Sequence, residues 1–389
     1  MDDEHQYVRC PLSVFTTDLY TEFIKQQNDS SLSNLLISPV SIWIALSMIE
    51  AGCGGDTRRE MISGLRMPGQ LQEDKLHKII SNKLMRCFGN DFGVQISFAN
   101  RLFILKSASI EEKFRKLLQM CYKSDVGELG GLDALFAKQS RINAWVNDNT
   151  HRKIRELVPA DMVNDDTSLM LINAVYFRGR WQEVFDEEET YDGIFHKLDG
   201  SPAIVRMMKG VEYYPFARLD RLNADVVKVP FKQSSWEMLF ILPDEISGLP
   251  TLLSHLQKPH AIDSILRRKF MLRNIELHIP RFRLNTDPAL NLRKILQSLG
   301  IRLLFEQERA DLGGISEQTP LFLSAIFHNA LIEVDERGTR AAVDTATAID
   351  SHEETKCLRM DHAFLIAILY GKSIPVFIGH VVNPQNSVC

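Results

Sequence analysis

The residues best equipped for chemistry are the eleven histidines and six cysteines, and their spacing argues against most of it. His352-Glu353 opens like the H-E-x-x-H zinc motif, but Lys356 stands four positions after His352, so the second ligand is missing. No G-x-S-x-G, G-x-G-x-x-G or P-loop pattern occurs, and no histidine pairs with a nucleophile at a recognisable spacing. Cys10, Cys53, Cys87, Cys121, Cys357 and Cys389 form no C-x-x-C pair, which suits free thiols in a reducing compartment better than a disulfide framework or a zinc site. A triad assembled only by the fold would escape this test. The expectation is a protein that is not an enzyme and holds no metal and no cofactor.

One histidine stands out for its surroundings. In L-F-L-S-A-I-F-H-N-A-L-I-E-V, strand alternation puts His328 on one face with Phe322, Ile326, Ala330, Ile332 and Val334. A polar ring among core side chains needs partners. Ser38, Ser41 and Asn173, polar residues in otherwise apolar elements, are the candidates. Such a cluster either specifies the core or latches two packed elements that must later separate.

The tract that follows, E-R-G-T-R-A-A-V-D-T-A-T-A-I-D-S-H-E over 336–353, alternates too. Thr339, Ala341, Val343, Thr345, Thr347 and Ile349 are uncharged, while Arg340, Asp344 and Asp350 fall on the other face. That is a strand with one face ready for burial but without a large apolar anchor. A low-complexity surface loop is the competing reading.

The elements that must position these residues follow from periodicity. Leu12, Phe15, Leu19 and Phe23 give an amphipathic helix over 11–26, and Ser38-Pro39 caps and starts a second. A third starts at Asp56 or Thr57, and others span 74–88, 109–121, 138–150 and 288–299, the last stopped by Gly300. Strands are expected at 94–105, 168–178, 203–216, 225–231, 236–242, 274–284, 321–335, 363–370 and 375–382. Residues 168–178 are apolar on both faces, as in a central, doubly covered strand. Helices come first and strands later, without regular alternation, so the class is α+β. With no repeat, linker or composition break, a single domain over 1–389 is expected. The net charge of −5, from 45 basic and 50 acidic residues, offers no general attraction to nucleic acid or to an anionic membrane. No apolar run reaches the roughly 18–20 residues of a spanning helix. The acidic start M-D-D-E-H-Q lacks the pattern of a signal peptide, which points to the cytoplasm, with leaderless release as an alternative.

Taken together, several stretches resemble the serpin family over about residues 12–384. They include N-L-L-I-S-P-V-S-I (34–42), I-N-A-W-V (142–146), L-I-N-A-V-Y-F-R-G-R-W (171–181), L-G-I-R-L-L-F (299–305), D-E-R-G-T-R-A-A (335–342) and F-I-G-H-V-V-N-P (377–384). The leaderless, intracellular-type members are the nearest in character. The resemblance implies a single domain of three β-sheets and eight or nine helices with an exposed reactive-centre loop, here about 336–360. It also implies suicide inhibition: a serine protease cleaves the loop, is held as an acyl-enzyme, and the loop inserts into the central sheet.

On that resemblance Glu336, Gly338, Thr339, Ala341 and Ala342 are the hinge, where glycine tolerates the backbone change. Ser38, Ser41, Asn173 and His328 are the shutter and Trp181 the breach tryptophan, with ordinary core packing its compatible alternative. Family-typical distances put the reactive bond at His352-Glu353, with cleavage after Ser351 or Asp350 as alternatives. The expected partner is a serine protease, chymotrypsin-like or elastase-like before trypsin-like, with papain-like cysteine proteases tolerated. The protein is expected to be a monomer. Lys75, Lys78, Lys83 and Arg86 form a basic helix face in the region where some relatives bind glycosaminoglycan, though a solvated outer face explains it as well. Asp344 departs from the small-residue hinge, as does Ala363 from a common proline, and a non-inhibitory chaperone, carrier or storage protein is the alternative function. Cys357 falls in the loop as an exposed thiol open to oxidation.

Overall fold

The computed structural model describes residues 3–27, 32–69, 73–85, 93–131, 134–258, 260–286, 290–337 and 354–387, with nine α-helices among them. The alternating runs form two hydrogen-bonded sheets. The six-stranded sheet orders Phe282–Asn285, Leu323–Val334, Leu169–Gly179, Val94–Ile104 and Val126–Glu128, with Leu290–Asn291 also on Leu323–Val334. At its centre Leu323–Val334 and Leu169–Gly179 run parallel and bond directly to each other.

The nine-stranded sheet orders Leu35–Ile37, Ile374–Val381, Phe364–Tyr370, Trp236–Pro243, Ala224–Pro230, Pro202–Leu219, Met271–Pro280 and Lys356–Arg359, with Tyr191–His196 also on Pro202–Leu219. The long strand Pro202–Leu219 bonds to Ala224–Pro230 at one end and along Met271–Pro280, so two arms that a three-sheet description separates form one network. The sheet count thus differs by that shared strand, while the α+β class stands.

Leu169–Val175 is buried throughout, as its two apolar faces require. One face meets the main core, including the helix Pro39–Glu50, whose twelve residues are all buried. The other meets a second core in which Ile142 and Val146 of the helix Leu135–Asn149 pack against Ile172, Ala174, Tyr176, Phe327 and Leu331. Gly300 ends the helix Arg293–Ser298 at φ +93°, a conformation glycine adopts without strain.

Some elements differ from expectation. The strand anticipated at 274–284 is two strands in two sheets: the ladder to Pro202–Leu219 ends with the Arg281 N–H on the Arg206 carbonyl, and Phe282–Asn285 pairs with Leu323–Val334 instead. The helix expected over 288–299 covers only Arg293–Ser298, and Leu290 and Asn291 instead pair with His328 and Phe327. The helix expected over 74–88 is Glu73–Lys83 among the described residues. The helix at 109–121 is Glu112–Leu117 followed by a π turn over Leu118–Tyr122. Short strands at Leu35–Ile37, Val126–Glu128 and Lys356–Arg359 carry too few residues to show a clear period, Tyr191–His196 has no apolar alternation over most of its length, and none of the four was expected. Lys356–Arg359 corrects the loop boundary: the segment anticipated as loop to about 360 is a sheet edge from Lys356 onward.

The edge strand Leu35–Ile37 approaches its neighbour Ile374–Val381 closely at Gly379, where an added Cβ would overlap the Leu35 carbonyl oxygen. Gly379→Ala is therefore expected to lower stability by about 2–4 kcal/mol, by forcing Leu35–Ile37 away from Ile374–Val381. Equilibrium unfolding in urea measures it.

Candidate functional site

The four polar residues singled out around His328 come together, and a fifth joins them. Asn100, Asn173 and His328 sit side by side across three adjacent strands, since Asn173 is in register with Asn100 on one side and with His328 on the other. All three face the N-terminus of the helix Pro39–Glu50. Its N-cap Ser38 accepts from the Ser41 N–H and donates from Oγ to the Val376 carbonyl at 2.7 Å. Asn173 Nδ2 donates to Ser41 Oγ and to Asn100 Oδ1, and Asn100 Nδ2 reaches the Ser41 carbonyl at 3.4 Å. Asn100 was missed from sequence, although the test that picked out His328 would have found it. It shares its strand face with Ile96, Phe98, Leu102 and Ile104.

The protonation of His328 follows from its partners. The Ser38 backbone N–H can only donate, so Nε2, 3.1 Å away, accepts. The proton is then on Nδ1, which donates to Asn173 Oδ1. Charging the ring would set two donors against each other, and complete burial pushes the His328 pKa down to about 3. His380 is buried likewise: Nε2–H donates to the Ser33 carbonyl at 2.9 Å, and the Tyr20 hydroxyl donates to Nδ1 at 2.8 Å. Burial lowers its pKa to about 4 against the opposing pull of the Ser33 carbonyl.

At the upper end of the same parallel strand pair, charged groups hold the chain as it leaves the sheet. Trp181 is buried, stacked on Phe231 with ring centroids 4.7 Å apart, and its Nε1–H donates to the Asp335 carbonyl at 2.8 Å. Arg178 pairs with the Asp335 carboxylate at 2.5 Å. Burial works against the Arg178 charge, but Asp335 more than offsets it and the pKa rises. Glu333 takes bonds from Lys153 at 3.0 Å and Tyr176 at 2.9 Å. Burial would raise the Glu333 pKa, yet these donors hold it below the usual carboxylate range. Glu336 is buried, accepts from Thr190 Oγ1 at 3.1 Å and lies 3.7 Å from Arg281.

Of the other sequence-derived sites, Gly338, Thr339, Ala341, Ala342, Asp350, Ser351, His352, Glu353 and Arg86 lie outside the described residues. Lys75 and Lys78 are exposed on the helix Glu73–Lys83 and Lys83 is half-buried. Elsewhere among the described residues, one group of metal-ligand side chains converges, Glu276, His278 and Cys357. Among the described residues no helix is long and apolar enough to cross a membrane.

Comparison with known proteins fixes the family. The family model described as serpin (serine protease inhibitor) matches residues 12–384. The chain belongs to the serpin family. This serpin is 31% identical over 383 residues to leukocyte elastase inhibitor of Sus scrofa, covering 96% of this chain and 99% of the relative. It is 32% identical over 378 residues to Serpin-Z2B of Triticum aestivum, covering 93% and 92% of the two chains. Among solved structures it resembles Arabidopsis AtSerpin1 in a native stressed conformation, with a TM-score of 0.86, 28% identity and 99% of each chain covered. Uncleaved ovalbumin shares the fold, with a TM-score of 0.87, 24% identity, and 97% and 100% coverage. Protease inhibition is the family's activity, and serpins are not in general catalysts.

Two outcomes test the serpin's buried row. Asn173→Ala removes the partner of His328 Nδ1, Ser41 Oγ and Asn100 Oδ1 and is expected to cost about 2–4 kcal/mol in urea unfolding. For pH, both imidazoles have folded pKa values below the ordinary 6.5, so the unfolded chain binds more protons between that value and about 3–4. Their contribution is present above about pH 6.5 and is lost as pH falls, so the unfolding midpoint should drop steadily from pH 6.5 to 4. A midpoint unchanged across that window would contradict the neutral buried rings.

Proposed function

We propose that this serpin inhibits a serine protease by the suicide route, with the tract 338–353 as bait and as a future strand of the central sheet. The observation that carries the reading is the direct parallel pairing of Leu169–Gly179 with Leu323–Val334. The tract follows Leu323–Val334 in sequence, so folding back between the two strands would make it antiparallel to both and give each a better-aligned ladder than they make now. Thr339, Ala341, Val343, Thr345, Thr347 and Ile349 would then point one way, and Arg340, Asp344 and Asp350 the other. The tract could span about 45 Å from Thr339 to His352, at about 3.3 Å per residue. The strands to be joined are 11 and 12 residues long, a matching length.

In this reading the row of Ser38, Ser41, Asn100, Asn173 and His328 is the latch that must be rearranged when the strands part. Trp181, Arg178 and Asp335 mark the entry, and Glu336, Gly338, Thr339, Ala341 and Ala342 are the hinge. The reactive bond is His352-Glu353, with Ser351 or Asp350 as the alternative residue before it. A chymotrypsin-like or elastase-like target is favoured, in line with the relatives named as leukocyte elastase inhibitors. Papain-like cysteine proteases are the cross-class alternative. The whole chain, 1–389, acts as one domain and as a monomer. A cytoplasmic site suits the free thiols Cys10, Cys53 and Cys357. Glycosaminoglycan binding at Lys75, Lys78, Lys83 and Arg86 is the least supported element.

Incubation with a panel of serine proteases tests the proposal. The expected result is an SDS-resistant complex, with mass spectrometry of the released C-terminal peptide giving the bond, and a large rise in thermal stability once the loop is cut. Thr339→Arg should turn the inhibitor into a substrate, because an unpaired charge would be buried at the first step of insertion. A cut loop with no adduct and an unchanged melting temperature would favour the non-inhibitory reading, for which Asp344 in the hinge tract is the motive.

A further inference from the structure

Glu276 and His278 lie two residues apart on the strand Met271–Pro280 and so share a face. Cys357, on the neighbouring edge strand Lys356–Arg359, is paired with Glu276 in parallel register. One ligand atom from each of the three lies within 4.8 Å of the other two. His278 Nε2 is 2.9 Å from Glu276 Oε1, and Cys357 Sγ is 3.9 Å from the same oxygen. In a tetrahedral zinc site with bonds of about 2.0–2.3 Å, ligand atoms stand roughly 3.5 Å apart, so shifts of about 1 Å would close this triangle on an ion.

The surroundings suit the same chemistry. His278 is buried, and its other nitrogen, Nδ1, is 2.8 Å from the Tyr191 hydroxyl, which fixes the ring with Nε2 toward Glu276 and Cys357. Lys209 Nζ stands 4.0 Å from Glu276 Oε2, leaving Oε1 on the side of the triangle. Arg359 lies two residues beyond Cys357 on the same strand and so shares its face. Cys357 is exposed, so an ion has a path in.

We propose that Glu276, His278 and Cys357 form a zinc(II) site, completed by water, that fastens the edge strand Lys356–Arg359 to the sheet. Imidazole, thiolate and a single carboxylate are a donor set that suits zinc better than calcium or magnesium. The protons balance. The His278 proton moves from Nε2 to Nδ1 and is donated to the Tyr191 oxygen, while the Cys357 thiol gives its proton to solvent. The carboxylate and thiolate match the charge of the ion, and Lys209 remains as the cationic neighbour of Glu276.

The consequence for the loop rests on the inhibitor reading. The four-residue strand Lys356–Arg359 is the C-terminal stem of the tract, and an uncleaved tract could enter the central sheet fully only by drawing that stem off Met271–Pro280. A zinc ion across the pair would oppose this route and leave insertion after cleavage untouched.

The test uses the full chain, stripped with chelator and titrated with Zn(II) by calorimetry and with Co(II) by absorption. Expected are one equivalent bound, a thiolate-to-cobalt charge-transfer band, loss of that band with at least tenfold weaker zinc binding in Cys357→Ser, and roughly tenfold weaker binding in Tyr191→Phe. Zinc should also slow the loss of inhibitory activity on warming in the wild type but not in C357S. Absence of saturable zinc binding, or equal binding by wild type and C357S, overturns the site. The chelated protein is assayed in parallel against the protease panel. Inhibition without zinc binding removes the site and leaves the inhibitor, whereas zinc binding without inhibition leaves the site and removes the role in the loop.

Discussion

The parallel contact between Leu169–Gly179 and Leu323–Val334 is the constraint around which the molecule is arranged. Parallel ladders are slightly weaker than antiparallel ones, and this one lies at the centre of the sheet, where apolar packing covers both faces. Beneath it, a spot that could have been apolar holds Asn100, Asn173 and His328 in one line, tied to Ser38 and Ser41. Hydrogen bonds between two strands and a helix end are directional, so they hold one spacing of the pair firmly. Apolar contacts would tolerate a slide. A neutral imidazole at the centre makes that spacing depend on a single tautomer.

A second set of forces acts at the strand ends. Glu333, Asp335 and Glu336 follow one another closely as the chain leaves the sheet, and each finds a cation or hydroxyl on a different neighbour. Because Glu333 and Asp335 are only partly buried, their pairing is moderate in strength and can be exchanged for water. The polar row below is sealed and cannot be exchanged so easily. The pair is thus firmly held at its middle and more loosely at its top, the gradient a sheet needs if it is to open from one end.

Much of this was legible in the sequence, for identifiable reasons. Apolar residues on both faces of 168–178 gave the central strand, and the odd polar residue on an apolar face gave His328. Asn100 obeyed the same rule and could have been found by it. What stayed hidden was of two kinds. Strands of three or four residues, such as Leu35–Ile37 and Lys356–Arg359, cover at most two full periods of alternation. Cross-strand meetings such as Glu276, His278 and Cys357 depend on register, and spacing rules for metal ligands look only along the chain. Cysteine spacing could not register this meeting, whose cysteine lies some eighty residues from its partners. The turn at Arg281 was hidden differently: the apolar positions shift phase from Ile275, Leu277 and Ile279 to Phe282 and Leu284, but a phase shift alone does not say that the chain changes sheets there.

That turn links the two ends of the tract. The strand before it, Leu323–Val334, pairs with Phe282–Asn285, and the strand after it, Lys356–Arg359, pairs with Met271–Pro280. Both stems are thus moored to one unbroken run of backbone, with Arg281 at the corner and its side chain reaching back to Glu336. The fold carries its own yardstick: the gap the tract must bridge is set by covalent geometry and one bend, not by how two separate bodies happen to lie.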